Sequence, residues 1–429
     1  MKILRATLIM VLMVSSGAVV ATDVAIRNVQ IHTLDAEQPL QNATLLVLQG
    51  RIAAFGRDLA VPAGIPIIDG ARMVITPGLV EPHSQIGLEE ISAVDSTVDS
   101  SGGEVASGPA FDVQYAINPA STLLPINVVE GVTHAVTAPA QADDVFAGLG
   151  VGLVLAGDVL ITHPQVALFG AVGARAAQHL GGSRAEVFSH LYRTFAELKT
   201  YRQRRAIAGS TNTLAGFSSH RERQYTKIDM DALALASSKA LPLVIQVDRA
   251  NEILQLLQFA REFNLPVVVR GAAEGWKVAS ELAAANVPVI IDPLNNLPNG
   301  FDRLGARADN AALLQQAGVR VAFSVSDPHN ARQLRQLAGN AVAHGMAWSS
   351  ALRAITRVPA DLYGLDVGRI RVGDEATFVL WNGDPLEVTT WADSVMVNGR
   401  WIDSSSRQTR LFERYRDLAA GKAQGFTYQ

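Results

Sequence analysis

Both ends of the chain carry short strand-like runs separated by turn residues, and the first of them, 24–31, alternates apolar and polar residues as half-buried β-strands do. The runs are 24–31, 43–48, 52–56, 376–381 and 394–402. The last run contains Asn398-Gly399, the dipeptide that favours a two-residue hairpin turn. Because the two ends share this style, we predict one small composite β-sandwich domain, formed by residues 22–75 and 366–405, with the middle of the chain inserted.

The middle of the chain alternates strand-like and helix-like patterns. Short, apolar, β-branched runs occupy 132–137, 243–247, 267–270, 287–291 and 319–324. Between them, stretches such as 249–263 and 275–285 place apolar residues at helical spacing. Such alternation predicts an α/β fold with a parallel sheet and helices outside it. For residues 76–365 the length favours a (β/α)₈ TIM-type barrel over an open sheet.

The two termini predict segments outside this core. Lys2 and Arg5 precede a short apolar run and then small residues, the layout of a secretory signal peptide, so we assign residues 1–21 to one. A secreted or periplasmic location follows from that assignment. The last segment, 406–429, is expected to be a C-terminal helix and tail, with a surface helix over 406–419 whose apolar residues lie on the body of the protein.

Composition narrows the function. The chain has no cysteine, which excludes disulfides, thiolate metal ligands and a cysteine nucleophile. Its formal net charge of −4 gives no basic footprint for nucleic acid or anionic membranes. The expected partner is therefore a small molecule in the barrel mouth, with no nucleic acid and no membrane after signal cleavage.

One motif carries candidate metal chemistry. An apolar run leads into Pro77-Gly78 and then His83-Ser84-Gln85, a His-x-His layout whose second histidine is replaced by glutamine. A neutral imidazole binds zinc-like ions well, whereas a glutamine amide oxygen is a weak, hard ligand. The motif alone therefore fits either a metallohydrolase or a protein that has lost its metal.

Several motifs in order resemble the amidohydrolase superfamily, especially its imidazolonepropionase-like exported members, across nearly the whole mature chain. They are the segment 77–83, Gly131-Val132-Thr133, Ser326-Asp327, the run 351–365, Gly368-Arg369-Ile370, the run 373–376 and Gly383-Asp384-Pro385-Leu386. The resemblance implies the barrel-plus-sandwich fold and a hydrolase acting on carbon–nitrogen bonds other than peptide bonds. It also implies zinc or another divalent metal, which lowers the pKa of bound water and polarises a carbonyl.

The resemblance also assigns the ligand positions, and most of them are changed. His83 and Gln85 stand after strand one, Gln246 and Arg270 after strands five and six, and Asp327 after strand eight, where the family's aspartate is also the general base. We expect at most a weak metal site at His83, Gln85 and Asp327. No residue is a clear counterpart of the family's bridging lysine; Lys199 lies in a helical run.

Arg270 makes the largest difference, because a guanidinium stays charged in a protein and cannot ligate a metal. We expect it to pair with Asp327 and fill the space of the metal, unless the register of strand six differs and Arg270 lies on the rim. His329 is either a substitute ligand or part of a turn. Gln246, His329 and Glu89 are the candidates for contacting a ligand.

Three hypotheses remain open, so the sequence leaves it undecided whether the protein is an enzyme. The first is a carbon–nitrogen hydrolase with a weak single-metal site. The second is a catalytically silent homologue, or pseudoenzyme, that binds a ligand or serves as partner subunit of an active amidohydrolase, in a homo- or hetero-oligomer. The third is metal-free hydrolysis with Asp327 as base and His83 or Arg270 holding the oxyanion, for which no nucleophile motif exists.

Overall fold

The ends of the chain come together in one sheet, here named sheet A. The computed structural model describes residues 22–102, 108–140, 144–210, 225–405 and 407–416, so the predicted signal peptide lies outside the described residues. The strands of sheet A are β1 Val24–Ile31, β2 Leu40–Leu48, β3 Arg51–Gly56, β4 Ile67–Asp69, β5 Val74–Pro77, β14 Phe378–Trp381, β15 Ala392–Val397 and β16 Arg400–Trp401. Their order is β16-β15-β14-β5-β1-β2-β3, with β4 beside β1. The predicted turn at Asn398-Gly399 is confirmed, since both residues have positive φ, 48° and 74°.

The middle of the chain forms a second sheet of eight strands, which closes almost completely into a barrel. In chain order the strands are β6 Leu79–Ser84, β7 Val132–Thr137, β8 Phe146–Val154, β9 Ile161–Ala171, β10 Leu243–Val247, β11 Val267–Gly271, β12 Val289–Ile291 and β13 Val321–Phe323. Each strand pairs with the next along the chain. The predicted α/β barrel is confirmed.

One barrel strand differs from the predicted parallel arrangement. β8 is antiparallel to both β7 and β9, while the other neighbouring pairs are parallel. A short connection, residues 155–160, joins β8 to β9, and a connection that short cannot return the chain for a parallel pairing. The alternation of strand and helix is therefore interrupted in this part of the barrel.

Helices fill the remaining connections. They are α1 Leu123–Val128, α2 Ala174–His179, α3 Arg184–Ser210, α4 Lys227–Ser237, α5 Ala250–Phe263, α6 Ala279–Ala284, α7 Asn310–Gln316, α8 Leu334–Ala343, α9 Trp348–Ala354, α10 Arg357–Tyr363 and α11 Arg407–Tyr415. Short 3₁₀ turns occupy Asp95–Thr97, Val113–Ala116, Gly275–Val278, Phe301–Arg303 and Ala331–Gln333. Within the described ranges, no helix is both long and apolar enough to cross a bilayer.

The predicted C-terminal helix forms as α11, which lies beside α1. Its apolar side chains are only partly covered there. Leu411, Phe412 and Tyr415 are 39%, 65% and 40% exposed. The apolar residues of this helix are therefore available at the surface.

A buried tryptophan joins sheet A to the barrel. Trp381 in β14 is fully buried, and its indole N–H donates to Thr76 Oγ1 at 2.9 Å. Its ring lies against Gly131, the residue before β7, where a Cβ would come within 2.8 Å of the ring. Gly131 also has φ +92°, a conformation in which a side chain is strained. The Gly-Val-Thr motif thus requires its glycine for two physical reasons.

Gly131→Ala is expected to lower the free energy of unfolding by about 2–4 kcal/mol, because backbone strain and overpacking add. The matched control is Gly157→Ala, since Gly157 also has positive φ (+106°) but no atom within 4 Å of the added Cβ. That control should cost only about 1–2 kcal/mol. Urea unfolding of both variants measures the difference; equal losses would show that the Trp381 contact contributes nothing.

Candidate functional site at the barrel mouth

The barrel mouth presents a layer of polar side chains above an apolar interior. Val244, Val268, Ile290 and Ala322 belong to one buried apolar cluster inside the barrel. Two residues after each of these four positions lie the polar residues Gln246, Arg270, Asp292 and Ser324. Since side chains on a strand repeat every two residues, this polar layer follows the interior one. It lies at the carboxyl ends of the strands, where barrels of this class place their sites.

The sequence-based register of the fifth and sixth strands agrees with the structure. Gln246 in β10 is the register partner of Arg270 in β11. Arg270 borders two adjoining cavities and is not a residue of the outer rim. The structure thereby brings the residues predicted after these two strands side by side.

The two cavities share Arg270 and Ser326. The first, of about 220 Å³, is named the His83 cavity and is lined by His83, Gln85, Glu89, Ser100, Pro139, Ala140, Ala147, Phe169, Gly170, Arg175, Arg270 and Ser326. The second, of about 190 Å³, is lined by Gln246, Arg270, Gly271, Ile290, Ile291, Asp292, Asn295, Arg303, Ser324, Val325 and Ser326. Ser100 comes from the connection between β6 and β7.

Arg270 has no side-chain partner among the described residues: neither a hydrogen bond nor an ion pair within 4.0 Å involves its guanidinium. Burial lowers the pKa of Arg270 to about 10, and the nearby Tyr363, Asp248 and Glu81 act in the opposite direction. The side chain therefore keeps its positive charge at neutral pH. A half-buried cation with five N–H donors and no partner in the described part of the chain is a costly arrangement unless something supplies acceptors.

The expected pairing of Arg270 with Asp327 is not found. The Asp327 carboxylate accepts the backbone N–H of His329 at 2.8 Å and the Asn330 side-chain amide at 2.8 Å. These bonds close a turn directly after Ser326, a residue with φ +61°. Asp327 is used locally because the backbone turns away as soon as the strand ends. His329 belongs to the same turn, so of its two predicted roles, substitute metal ligand or turn residue, the structure agrees with the turn residue.

His83 lies at the boundary of the first cavity as a neutral imidazole. It is 5% exposed and packs edge-on against Phe169, with ring centroids 5.6 Å apart. Burial, followed by the positive charge of Arg270, lowers the pKa of His83 well below its usual value. Its buried Nδ1 has no hydrogen-bond partner. The imidazole is thus an unsatisfied polar group beside the cation.

Glu81 is a site residue that the sequence analysis did not single out. Its carboxylate accepts the backbone N–H of His83 (3.1 Å), the Ser324 hydroxyl (2.5 Å) and the backbone N–H of Val325 (3.1 Å). These bonds join the first barrel strand to the residues after the last. The available signal was an acidic residue, Glu81, inside the apolar segment two residues before His83.

The remaining candidates take supporting positions. Gln85 and Glu89 line the His83 cavity, and neither side chain hydrogen-bonds to Asp327. Gln246 Nε2 donates to Asp248 Oδ2 at 3.2 Å. Asp248 also lies 3.6 Å from Arg303, an ion pair that balances both charges. Lys199 is exposed on α3 and takes no part in the site.

The histidine and acidic side chains of the described ranges do not form a metal site, since no three of them are arranged to hold an ion. His134 and His163 line a different cavity, of about 390 Å³, together with Arg369, Arg371 and other residues that follow the barrel. Burial lowers the pKa of His134 to about 4, and its Nδ1 lies 3.0 Å from Thr133 Oγ1. The histidines are therefore dispersed between separate regions.

The fold combines an eight-stranded barrel, a sheet built from both chain ends and a polar layer at the strand ends. This is the architecture of an amidohydrolase, and comparison with known families agrees. The model of the amidohydrolase family matches residues 74–402. The chain belongs to the amidohydrolase family.

Relatives of known name are similar over short stretches. Adenine deaminase 2 of Bradyrhizobium sp. (strain ORS 278) is 36% identical over 83 residues, 19% of this chain and 14% of that protein. Dihydroorotase of Geobacter sulfurreducens is 29% identical over 113 residues, 26% of this chain and 25% of that protein. The matches thus span about a quarter or less of these relatives' length.

Solved structures agree over nearly the whole fold. An amidohydrolase from Thermotoga maritima MSB8 superposes with a TM-score of 0.79 at 21% identity, covering 89% of this chain and 99% of that one. Molinate hydrolase gives a TM-score of 0.53 at 16% identity, covering 90% of this chain and 95% of that one. At these identities the likeness concerns the fold.

Glu81→Gln tests the buried carboxylate. Burial raises the pKa of Glu81 from 4.5 to about 7, despite the hydrogen bond from Ser324. Between these values the folded state binds a proton that the unfolded state has lost, so the contribution of Glu81 to stability falls as pH rises through that window. From about pH 5 to about pH 8, the unfolding free energy of the unmodified protein should fall by about 3 kcal/mol relative to the variant.

Urea unfolding at several pH values measures this difference. The buried histidines titrate in both proteins, so their effects cancel in the comparison. Glu197→Gln, an exposed position on α3, is the control and should leave the pH profile unchanged. Parallel pH profiles for the unmodified protein and Glu81→Gln would show that Glu81 does not titrate in this window.

Proposed function

We propose that this amidohydrolase-family protein is a catalytically silent member that binds a small molecule in the barrel mouth without a metal. The observation that carries the proposal is Arg270, a permanent cation without a partner at the end of the sixth strand. A divalent ion beside it would be repelled, because two like charges at contact distance in a partly buried site interact strongly.

The residues of the mouth do not fit a divalent metal. Catalytic zinc normally has three protein ligands and one open position. His83 supplies one imidazole, Gln85 a weak amide oxygen, and Asp327 is engaged in its own turn. Within the described ranges no third strong donor joins His83. No catalytic step is therefore derived through a metal.

A hydrolase with a weak single metal is the competing hypothesis, and one observation favours it. The buried Nδ1 of His83 has no partner, and the low pKa of His83 keeps that imidazole neutral, the form that binds metals. The relatives named adenine deaminase and dihydroorotase are enzymes by name, and this hypothesis would give the chain a related carbon–nitrogen activity. Arg270 opposes it.

A silent chain acts through what it binds, so two roles are compatible with the proposal. The protein either binds its ligand alone or serves as partner subunit of an active homologue after export to the periplasm. Size-exclusion chromatography with light scattering, run on protein purified from its own source, distinguishes them. A monomer without a co-purifying homologue would contradict the partner role.

The metal content of protein purified without chelator tests the proposal. We expect less than about one tenth of an equivalent of zinc in the unmodified protein, because a one-imidazole site beside a cation holds zinc poorly. The Gln85→His, Arg270→His double variant should gain metal, since it removes the cation and adds two imidazoles. Arg261→His, at an exposed position on α5, is the control for adding a histidine.

Elemental analysis after dialysis gives the result for all three proteins. Stoichiometric zinc in the unmodified protein would overturn the proposal and favour the weak-metal hydrolase. Zinc uptake by the Arg261→His control equal to that of the double variant would show that uptake does not report on the mouth.

A further inference from the structure

We propose that the His83 cavity binds a small monocarboxylate, whose carboxylate oxygens accept hydrogen bonds from the guanidinium of Arg270. This inference rests on the proposed metal-free function and adds the chemical class of the ligand. It assigns Arg270 a role as the ligand's anchor.

The first argument is the state of Arg270. Its side chain is half-buried, yet no described residue makes a hydrogen bond or an ion pair within 4.0 Å to its guanidinium. A buried cation normally has an anionic or hydrogen-bonding partner, because removal from water is costly. The other buried or half-buried arginines of the mouth follow that rule, as Arg303 does with Asp248 and the Asn295 carbonyl. Arg270 differs, because its N–H donors are left for an acceptor from outside the chain.

The second argument is the charge of the cavity. Its lining contains Arg270, Arg175 and Glu89, while His83 is held neutral by burial. The formal charge of these groups is therefore +1. A ligand with one negative charge balances it, whereas a phosphate dianion would leave an excess negative charge. Arg175 has partners of its own, so Arg270 is the cation that the ligand would satisfy.

The third argument is the size and chemistry of the walls. The volume of about 220 Å³ is about seven times the share of one liquid water, and lies below the roughly 300–1,000 Å³ of drug-sized pockets. Polar and apolar groups both contribute. Phe169, Ala147 and Pro139 offer an apolar wall, while Gln85, Ser100 and Ser326 offer hydrogen-bonding groups. The lining thus suits a carboxylate attached to a short, partly apolar body.

The geometry of the guanidinium favours a carboxylate in particular. Its planar fork donates two parallel N–H···O bonds to a carboxylate, which a point charge such as an ammonium cannot do. The unpartnered Nδ1 of His83 is a further polar atom near this group. A second carboxylate contact or a ligand N–H could satisfy it.

The experiment uses the purified full-length mature protein and butyrate as probe, with butyramide as neutral isostere and inorganic phosphate as the competing anion. Isothermal titration at constant ionic strength is run with and without EDTA. Butyrate is expected to bind, and butyramide and phosphate to bind at least about tenfold more weakly. Arg270→Gln should weaken butyrate binding by at least about tenfold, and Arg270→Lys by an intermediate factor.

The melting temperature of the ligand-free protein separates an anchor from a structural residue. Removing an unpaired buried cation should raise it, so Arg270→Gln is expected to be more stable without ligand and no longer stabilised by butyrate. A purely structural arginine would lower the melting temperature when replaced. Arg261→Gln, exposed on α5, should change neither quantity.

The outcomes distinguish failure of this inference from failure of the proposed function. No butyrate binding by metal-free protein, unchanged binding by Arg270→Gln, or a lower melting temperature of that variant would overturn the inference alone. Phosphate binding in preference to butyrate would also overturn it. Butyrate binding that EDTA abolishes would place the carboxylate on a metal and overturn the proposed function.

Discussion

A guanidinium that stays charged at neutral pH stands at the end of the sixth barrel strand, and the chemistry of the mouth depends on it. Arg270 keeps His83 neutral, since its charge adds to burial in lowering the pKa of that imidazole. Glu81 and Asp248 act in the opposite direction on Arg270 itself, but neither touches it. Distant carboxylates therefore partly balance the charge of Arg270, but no group in the described ranges of the chain accepts a hydrogen bond from its guanidinium. A divalent metal would add positive charge where negative charge is lacking.

The framework around this cation is held by groups that do not take part in binding. The Glu81 carboxylate connects the first strand with the residues after the eighth strand and holds the amide of His83. Trp381 fastens sheet A to the barrel beside Gly131. These joints hold the amidohydrolase architecture together without the side chains at the strand ends. The fold and the site are separable, because core packing maintains the fold, whereas a few side chains at the strand ends determine the chemistry of the site.

Much of this fold could be predicted from local patterns, because alternation and turn chemistry act over a few residues. β1 and β10 occupy the predicted residues, and the hairpin at Asn398-Gly399 forms as expected. β8 and β9 were not predicted. β8 is a continuous apolar run rich in glycine and buried along its whole length, so it lacks the alternation that marks a half-buried strand. β9 begins with a polar segment that contains Pro164, a residue that argues against a strand inside a sheet.

The site could be predicted only in part, for a different physical reason. Gln246 and Arg270 lie side by side because the register between β10 and β11 pairs them, and that register could be predicted from the sequence. Whether Arg270 meets Asp327 depends on the turn after the strand, where Ser326 adopts positive φ and Asp327 bonds to His329 and Asn330. Glu81 was overlooked because its partners are distant in sequence and become visible only when the barrel closes. Long-range contacts of this kind leave no local pattern.

Anomalous diffraction at the zinc edge tests the central claim most directly, using crystals grown with both zinc and butyrate and without chelator. The account predicts no anomalous peak at His83 and carboxylate density on the guanidinium of Arg270. A strong peak within bonding distance of His83 and Gln85, with Arg270 turned away, would contradict it.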